Sequence, residues 1–232
     1  MKKYSKYIKF TIAILLFFFG ALFQYIPILI FKIDLNTATD LTRTLLTMFS
    51  NTVIFIILVS MYFKNLIEGI KKLKDNKWKS LKIGFDYWFI GLMIMVLSNV
   101  AITLIKGGGT STNEESIKQV LTTFPYLVIP YIAVISPCIE ELVFRKAFKD
   151  VFKNKWVYIC ASGLIFGSLH VFLSPVNSFI DYFYLIPYCS MGLAFAFMCY
   201  ETDNIAVPIS MHILHNTLNI VSTLLLAGVI IC

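Results

Sequence analysis

The chain of 232 residues is 58% hydrophobic and 16% aromatic, with only 14% charged residues and a mean hydropathy of +0.79. A soluble core of this length cannot absorb so much apolar surface, so the composition excludes an ordinary soluble domain and indicates an all-α polytopic membrane protein. The net charge of +7 gives no support to nucleic-acid binding, because the lysines are spread over separate loops beside the lipid surface.

Stretches long enough to span a bilayer, about 20 apolar residues each, fall near 10–31, 45–63, 83–105, 120–147, 156–173, 180–200 and 205–231. They predict a bundle of seven helices, or eight if the last stretch breaks near Asn219. The first follows the basic MKKYSKYIK. Its apolar part is too long for a signal peptide and no small-residue cleavage site follows, so it reads as a retained helix. The whole chain, 1–232, reads as one membrane domain: 1–119 supplies the first three helices and their loops, and 120–220 carries the polar residues of interest.

Basic residues are unevenly divided. Those before the first helix, between the second and third, and between the fourth and fifth make up 16 of the 20. The positive-inside rule places these segments and the N-terminus in the cytoplasm. KNLIEGIKKLKDNKWKSLK, between the second and third stretches, has the makings of a short helix on the inner surface. On the outer side Thr112 and Glu115 have capping-box spacing and predict the start of the fourth helix. The five cysteines show neither metal-site nor disulfide spacing.

An ionisable side chain in hydrocarbon costs at least ~2.5 kcal/mol, so such residues usually face a bundle interior and mark function. Asp86 and Asp181 lie near helix starts, where interfacial water or the helix dipole accounts for them. Glu140, Glu141, Arg145, His170, His212, His215 and Asn216 do not. Adjacent Glu140 and Glu141 stand ~100° apart on an α-helix, which predicts different tasks. Glu141 and Arg145 have the i, i+4 spacing and polarity of a helix ion pair. Glu140 shares its face with Phe144, which leaves its carboxylate free to enter a cavity as a general base or acid. In FGSLH, Phe166 and His170 lie on one face; in HILHN, His212 and Asn216 do, with His215 within the same arc. At 1.5 Å per residue, Glu140, His212 and Asn216 lie roughly 10–16 Å from the cytoplasmic helix ends and His170 nearer ~20 Å, so that one cavity opening to the cytoplasm can hold all four.

A carboxylate, two imidazoles and an amide, without an activated serine, suggest water activation for amide or ester hydrolysis. Cys138 as nucleophile is disfavoured, since it lies ~200° around the helix from Glu140.

EELVFR (Glu140, Glu141, Arg145), FGSLH (Phe166, His170) and HILHN (His212, Asn216) resemble, in order, the EExxxR, FxxxH and HxxxN motifs of the CAAX-protease and bacteriocin-processing (CPBP, or Abi) intramembrane endopeptidases. The resemblance covers roughly 120–220. It implies that Glu140 and His170 activate water, that His212 and Asn216 stabilise the oxyanion, and that Glu141 and Arg145 support the site, with Phe144 and Phe166 beside them. His215 is not required by the motif and reads as a packed neighbour. Members have been described as metalloproteases and as metal-free glutamate proteases. Zinc would recruit His170 and His212, but no HExxH is present and Glu140 is poorly spared as a ligand, so the sequence favours chemistry without a cofactor. A membrane-associated peptide or protein is then the substrate. The reading from another class is a non-catalytic binder, such as a bacteriocin-immunity protein or a sensor-modulating partner. Transport is weaker, since no inverted repeat accompanies the Pro-interrupted fourth helix. The predominance of Lys over Arg looks like an AT-rich bacterial genome and points to a bacterial plasma membrane.

Overall fold

The protein is described here by a computed structural model covering residues 2–228. The described residues form helices and no strands. Seven helices are long and apolar enough to cross a membrane: α1 (Tyr4–Phe31), α2 (Asp40–Asp75), α3 (Lys77–Lys106), α5 (Pro125–Val151), α6 (Lys155–Phe172), α7 (Phe179–Thr202) and α8 (Ala206–Leu226). Helix α4 (Thr112–Thr123) is short and amphipathic. α8 passes through Asn219 without a break, so the described count is seven rather than eight. Residues 229–231 of the last apolar stretch, and Cys232, lie outside the described residues.

Two expectations change. The lysine-rich segment between the second and third spans is not a separate surface helix: its first part continues α2 to Asp75, and α3 starts at Lys77. Lysine, leucine and glutamate are good helix formers, so only the turn at Asn76 interrupts them. The capping box also shifts by one residue. Ser111, not Thr112, caps α4 by accepting from the Glu114 N–H at 3.2 Å, while the Thr112 hydroxyl donates to the Pro175 carbonyl. α4 stays distinct from the following span because Pro125 lacks an N–H and suits a first helical position.

The membrane helices differ in depth within the bundle. Only 6% of the apolar window of α1 is buried against 56% for α7, so α1 lies at the rim and α7 at the centre. α7 packs along α6 on one side and α3 on the other. The main core gathers Leu58 and Tyr62 of α2, Leu142, Val143 and Phe144 of α5 and Phe166 of α6.

Two glycines set the α6–α7 distance. A Cβ on Gly167 would stand 2.5 Å from the Cys189 backbone nitrogen, and one on Gly163 would stand 2.8 Å from the Leu193 Cα. The sequence GLIFG is thus a small-xxx-small contact that lets two backbones approach, the usual substitute for hydrophobic driving force in lipid. Gly167→Val should lower the apparent unfolding temperature in detergent, at a cost of about 1–3 kcal/mol for overpacking. Leu164→Val, at a lipid-facing position 44% exposed, should leave it unchanged.

α5 is the irregular span. It contains two π-helical segments, Tyr131–Ile135 and Glu141–Ala147, and such widened turns tend to occur at functional sites. In the first, the Ser136 N–H reaches back five residues to the Tyr131 carbonyl. The next donor in that register would be Pro137, which has none, so the Ile132 carbonyl is released. It is taken up by Asn216, as described below.

Candidate active site

Glu140, Glu141 and Arg145 lie at the second π segment of α5, His170 near the C-terminal end of α6, and His212, His215 and Asn216 on α8. The structure brings four of these into one contact chain. Arg145 and Glu141, both fully buried, pair at 3.2 Å between Nε and Oε2. The other Glu141 oxygen faces His212 Nδ1 at 2.9 Å. His212 Nε2 lies 3.6 Å from Glu140 Oε2. A carboxylate only accepts, so Nδ1 carries the hydrogen, and Nε2 is the nitrogen turned towards Glu140.

The two glutamates therefore meet the same imidazole from opposite sides. Glu141 is tied to His212 as well as to Arg145, a link that i, i+4 spacing alone cannot reveal. Their environments differ: the Glu141 side chain is 0% exposed and that of Glu140 is 17% exposed. Glu140 is the less enclosed of the two acids. Its Oε1 accepts from the Ser136 hydroxyl at 2.8 Å. Ser136 escaped the sequence analysis, although its position one turn before Glu140 is a usable signal.

Arg145 is enclosed by aromatic faces and a carbonyl. Its guanidinium carbon lies 4.3 Å from the Phe166 ring centre and 5.6 Å from that of Phe195, and it donates to the Gly192 carbonyl at 3.3 Å. Arginine suits such a place because its planar, weakly hydrated cation stacks on aromatic rings. Phe195 also stacks on His212 at 4.5 Å and 20°. Phe144 packs against Phe17, Phe148 and Phe166 as core. The Ser162 hydroxyl donates to the Phe144 carbonyl at 2.7 Å, binding α6 to the π segment.

His170 is reached through Phe166, whose ring centre lies 4.7 Å from His170 and 6.0 Å from His212. His170 Nδ1 donates to the Phe166 carbonyl at 3.0 Å, which leaves Nε2 as an acceptor. Asn216 donates to the released Ile132 carbonyl at 2.9 Å, closing α8 onto the first π segment. Its amide has a second hydrogen to give. His215 packs beside Phe195 and accepts from Asn219 at 3.2 Å. Cys138 packs against the main core.

Neither of two cavities at the ends of the bundle holds all four residues. A cavity of about 350 Å³ does open at the lysine-rich end, but Lys72, Lys146, Lys149 and Asp203 line it and none of the four does. His170 borders a crevice of about 10 Å³ at the opposite end, with Ser111, Asn113 and Ser174.

Zinc finds a poor fit. Both His212 nitrogens face carboxylates, and the Phe166 ring packs edge-on beside each of the two imidazoles. Among the described residues no three His, Cys, Asp or Glu side chains converge as a metal site would require.

Residues 122–218 match the family described as "Type II CAAX prenyl endopeptidase Rce1-like". The similarity is confined to that segment. The matched segment runs from the end of α4 into the second half of α8 and so contains Glu140, Glu141, Arg145, His170, His212, His215 and Asn216. The chain is 28% identical over 155 residues to a Bacillus subtilis (strain 168) protein named "Putative membrane peptidase YdiL", a match covering 65% of this chain and 59% of that one. It is 27% identical over 221 residues to the "Membrane-embedded CAAX protease MroQ" of Staphylococcus aureus (strain USA300), covering 87% and 85% respectively. The chain thus spans less than two thirds of YdiL. No solved structure matches it.

Proposed function

We propose that the protein is an intramembrane endopeptidase of a bacterial plasma membrane, with its N-terminus in the cytoplasm, that hydrolyses a peptide bond of a membrane-associated peptide or protein near the cytoplasmic face. The observation that carries this reading is the arrangement around His212: one nitrogen fixed by a sealed carboxylate, the other opposed to a less enclosed one. Position along the helices supports the side assigned. Glu140 lies 11 residues, about 16 Å, from the lysine-rich end of α5 and about 22 Å from the other.

Water held between Glu140 and the bare His170 Nε2 gives one proton to Glu140 as its oxygen attacks the scissile carbonyl carbon. The resulting oxyanion receives the second Asn216 N–H and an N–H from His212 Nε2, which can donate only when His212 is imidazolium. Glu141 stabilises that cation, much as a buried carboxylate steadies the histidine of a hydrolytic triad. Collapse breaks the C–N bond, and Glu140 returns its proton to the leaving amine. No step needs a metal.

Purified protein in liposomes, challenged with a library of membrane-anchored reporter peptides, should release fragments, and a chelator should leave the rate unchanged. A chelator-sensitive rate restored by zinc would overturn the metal-free mechanism. Binding of reporters without any fragment would favour a non-catalytic partner instead.

A further inference from the structure

We infer that Tyr188 of α7 is a positioning residue for His170, anchored by the start of α4; the inference rests on the catalytic reading of His170. The Tyr188 ring stacks on the imidazole at 4.8 Å and 23°, while Phe166 meets the imidazole at 64°. The imidazole is therefore held between one parallel and one inclined ring, with its Nδ1–H tied to the Phe166 carbonyl. These contacts fix both the ring plane and the tautomer, and so the direction of the Nε2 lone pair.

The phenol is itself fixed from a distant part of the chain. Ser111 Oγ lies 2.6 Å from the Tyr188 oxygen, and Asn113 donates to that oxygen at 3.2 Å. Ser111 is 6% exposed and simultaneously caps α4, so its hydroxyl joins the Glu114 N–H to the tyrosine oxygen. The placement of α4 is transmitted through one aromatic ring to the imidazole. The crevice beside it, bordered by His170, Ser111, Asn113 and Ser174, has room for about one water. A displacement of 1 Å at such a group can reduce a rate by about 10²-fold, which is why a residue that need not touch substrate matters here.

The chain has three histidines, so nitrogen NMR of the full-length protein in micelles can follow each ring, with assignments from single His→Gln variants. In the wild type, His170 should show the Nδ1–H tautomer. Tyr188→Leu should mix its tautomers and leave His212 and His215 unmoved, while Tyr188→Phe should keep the wild-type pattern. If Tyr188→Leu fails to fold, the Ser111→Ala/Asn113→Ala pair should broaden the His170 signal alone. In the reporter assay Tyr188→Leu should lose roughly 10-fold or more in kcat with KM nearly constant, and Tyr188→Phe should recover most of it. Wild-type His170 signals in Tyr188→Leu, or equal disturbance of all three histidines, would overturn the inference. An inactive wild type would sink the catalytic reading and leave the NMR result standing.

Discussion

Glu140→Gln should reduce peptide turnover by about 10²–10⁴-fold, the usual share of a positioned general base, without changing the unfolding temperature. Glutamine has the same shape, and its carbonyl can still accept from Ser136, so the local packing survives while the proton acceptor is lost. Side-by-side measurement of kcat and of thermal unfolding in detergent separates the two effects. Ser136→Ala, which frees one Glu140 oxygen, should weaken activity far less. Equal turnover by wild type and Glu140→Gln would remove Glu140 from the chemistry.

Arg145→Met should be the most destabilising single change at the site, by about 3–5 kcal/mol, the range for removing one partner of a buried ion pair. The cost arises because Glu141 would remain charged and fully buried, with His212 its sole polar partner. Methionine fills most of the space between Phe166 and Phe195, so the loss reports charge rather than volume. Pairing the substitution with Glu141→Gln should recover a large part of the stability, since the stranded charge is then gone. A double-mutant cycle read from denaturant unfolding in mixed micelles measures that coupling. Additive effects of the two changes would mean that the pair at 3.2 Å carries no weight.

Much of the fold is legible in the sequence because hydrocarbon imposes a simple rule. Every backbone group must be satisfied within a helix, so runs of apolar residues become spans and their number can be counted. Glu141 and Arg145 are paired by spacing for a similar reason, since four residues return to the same face of one helix. Contacts between helices leave no such mark. Nothing in the spacing of HILHN shows that His212 lies between both glutamates, and nothing in ISPC tells which carbonyl Pro137 releases; both depend on the π segments of α5, which periodicity at 3.6 residues does not encode. The close approach of α6 and α7 has a signal in GLIFG, two glycines four apart in a span, that went unread until the helices were seen together. Tyr188 has none, because its partners Ser111 and Asn113 lie 77 and 75 residues away.

Glu140-dependent cleavage in water enriched in heavy oxygen tests the central claim most directly. Wild-type protein in liposomes should release fragments whose new carboxyl group carries one oxygen from solvent, and Glu140→Gln should release almost none. Fragments formed equally by both proteins, or a new terminus free of solvent oxygen, would contradict hydrolysis by water activated at Glu140.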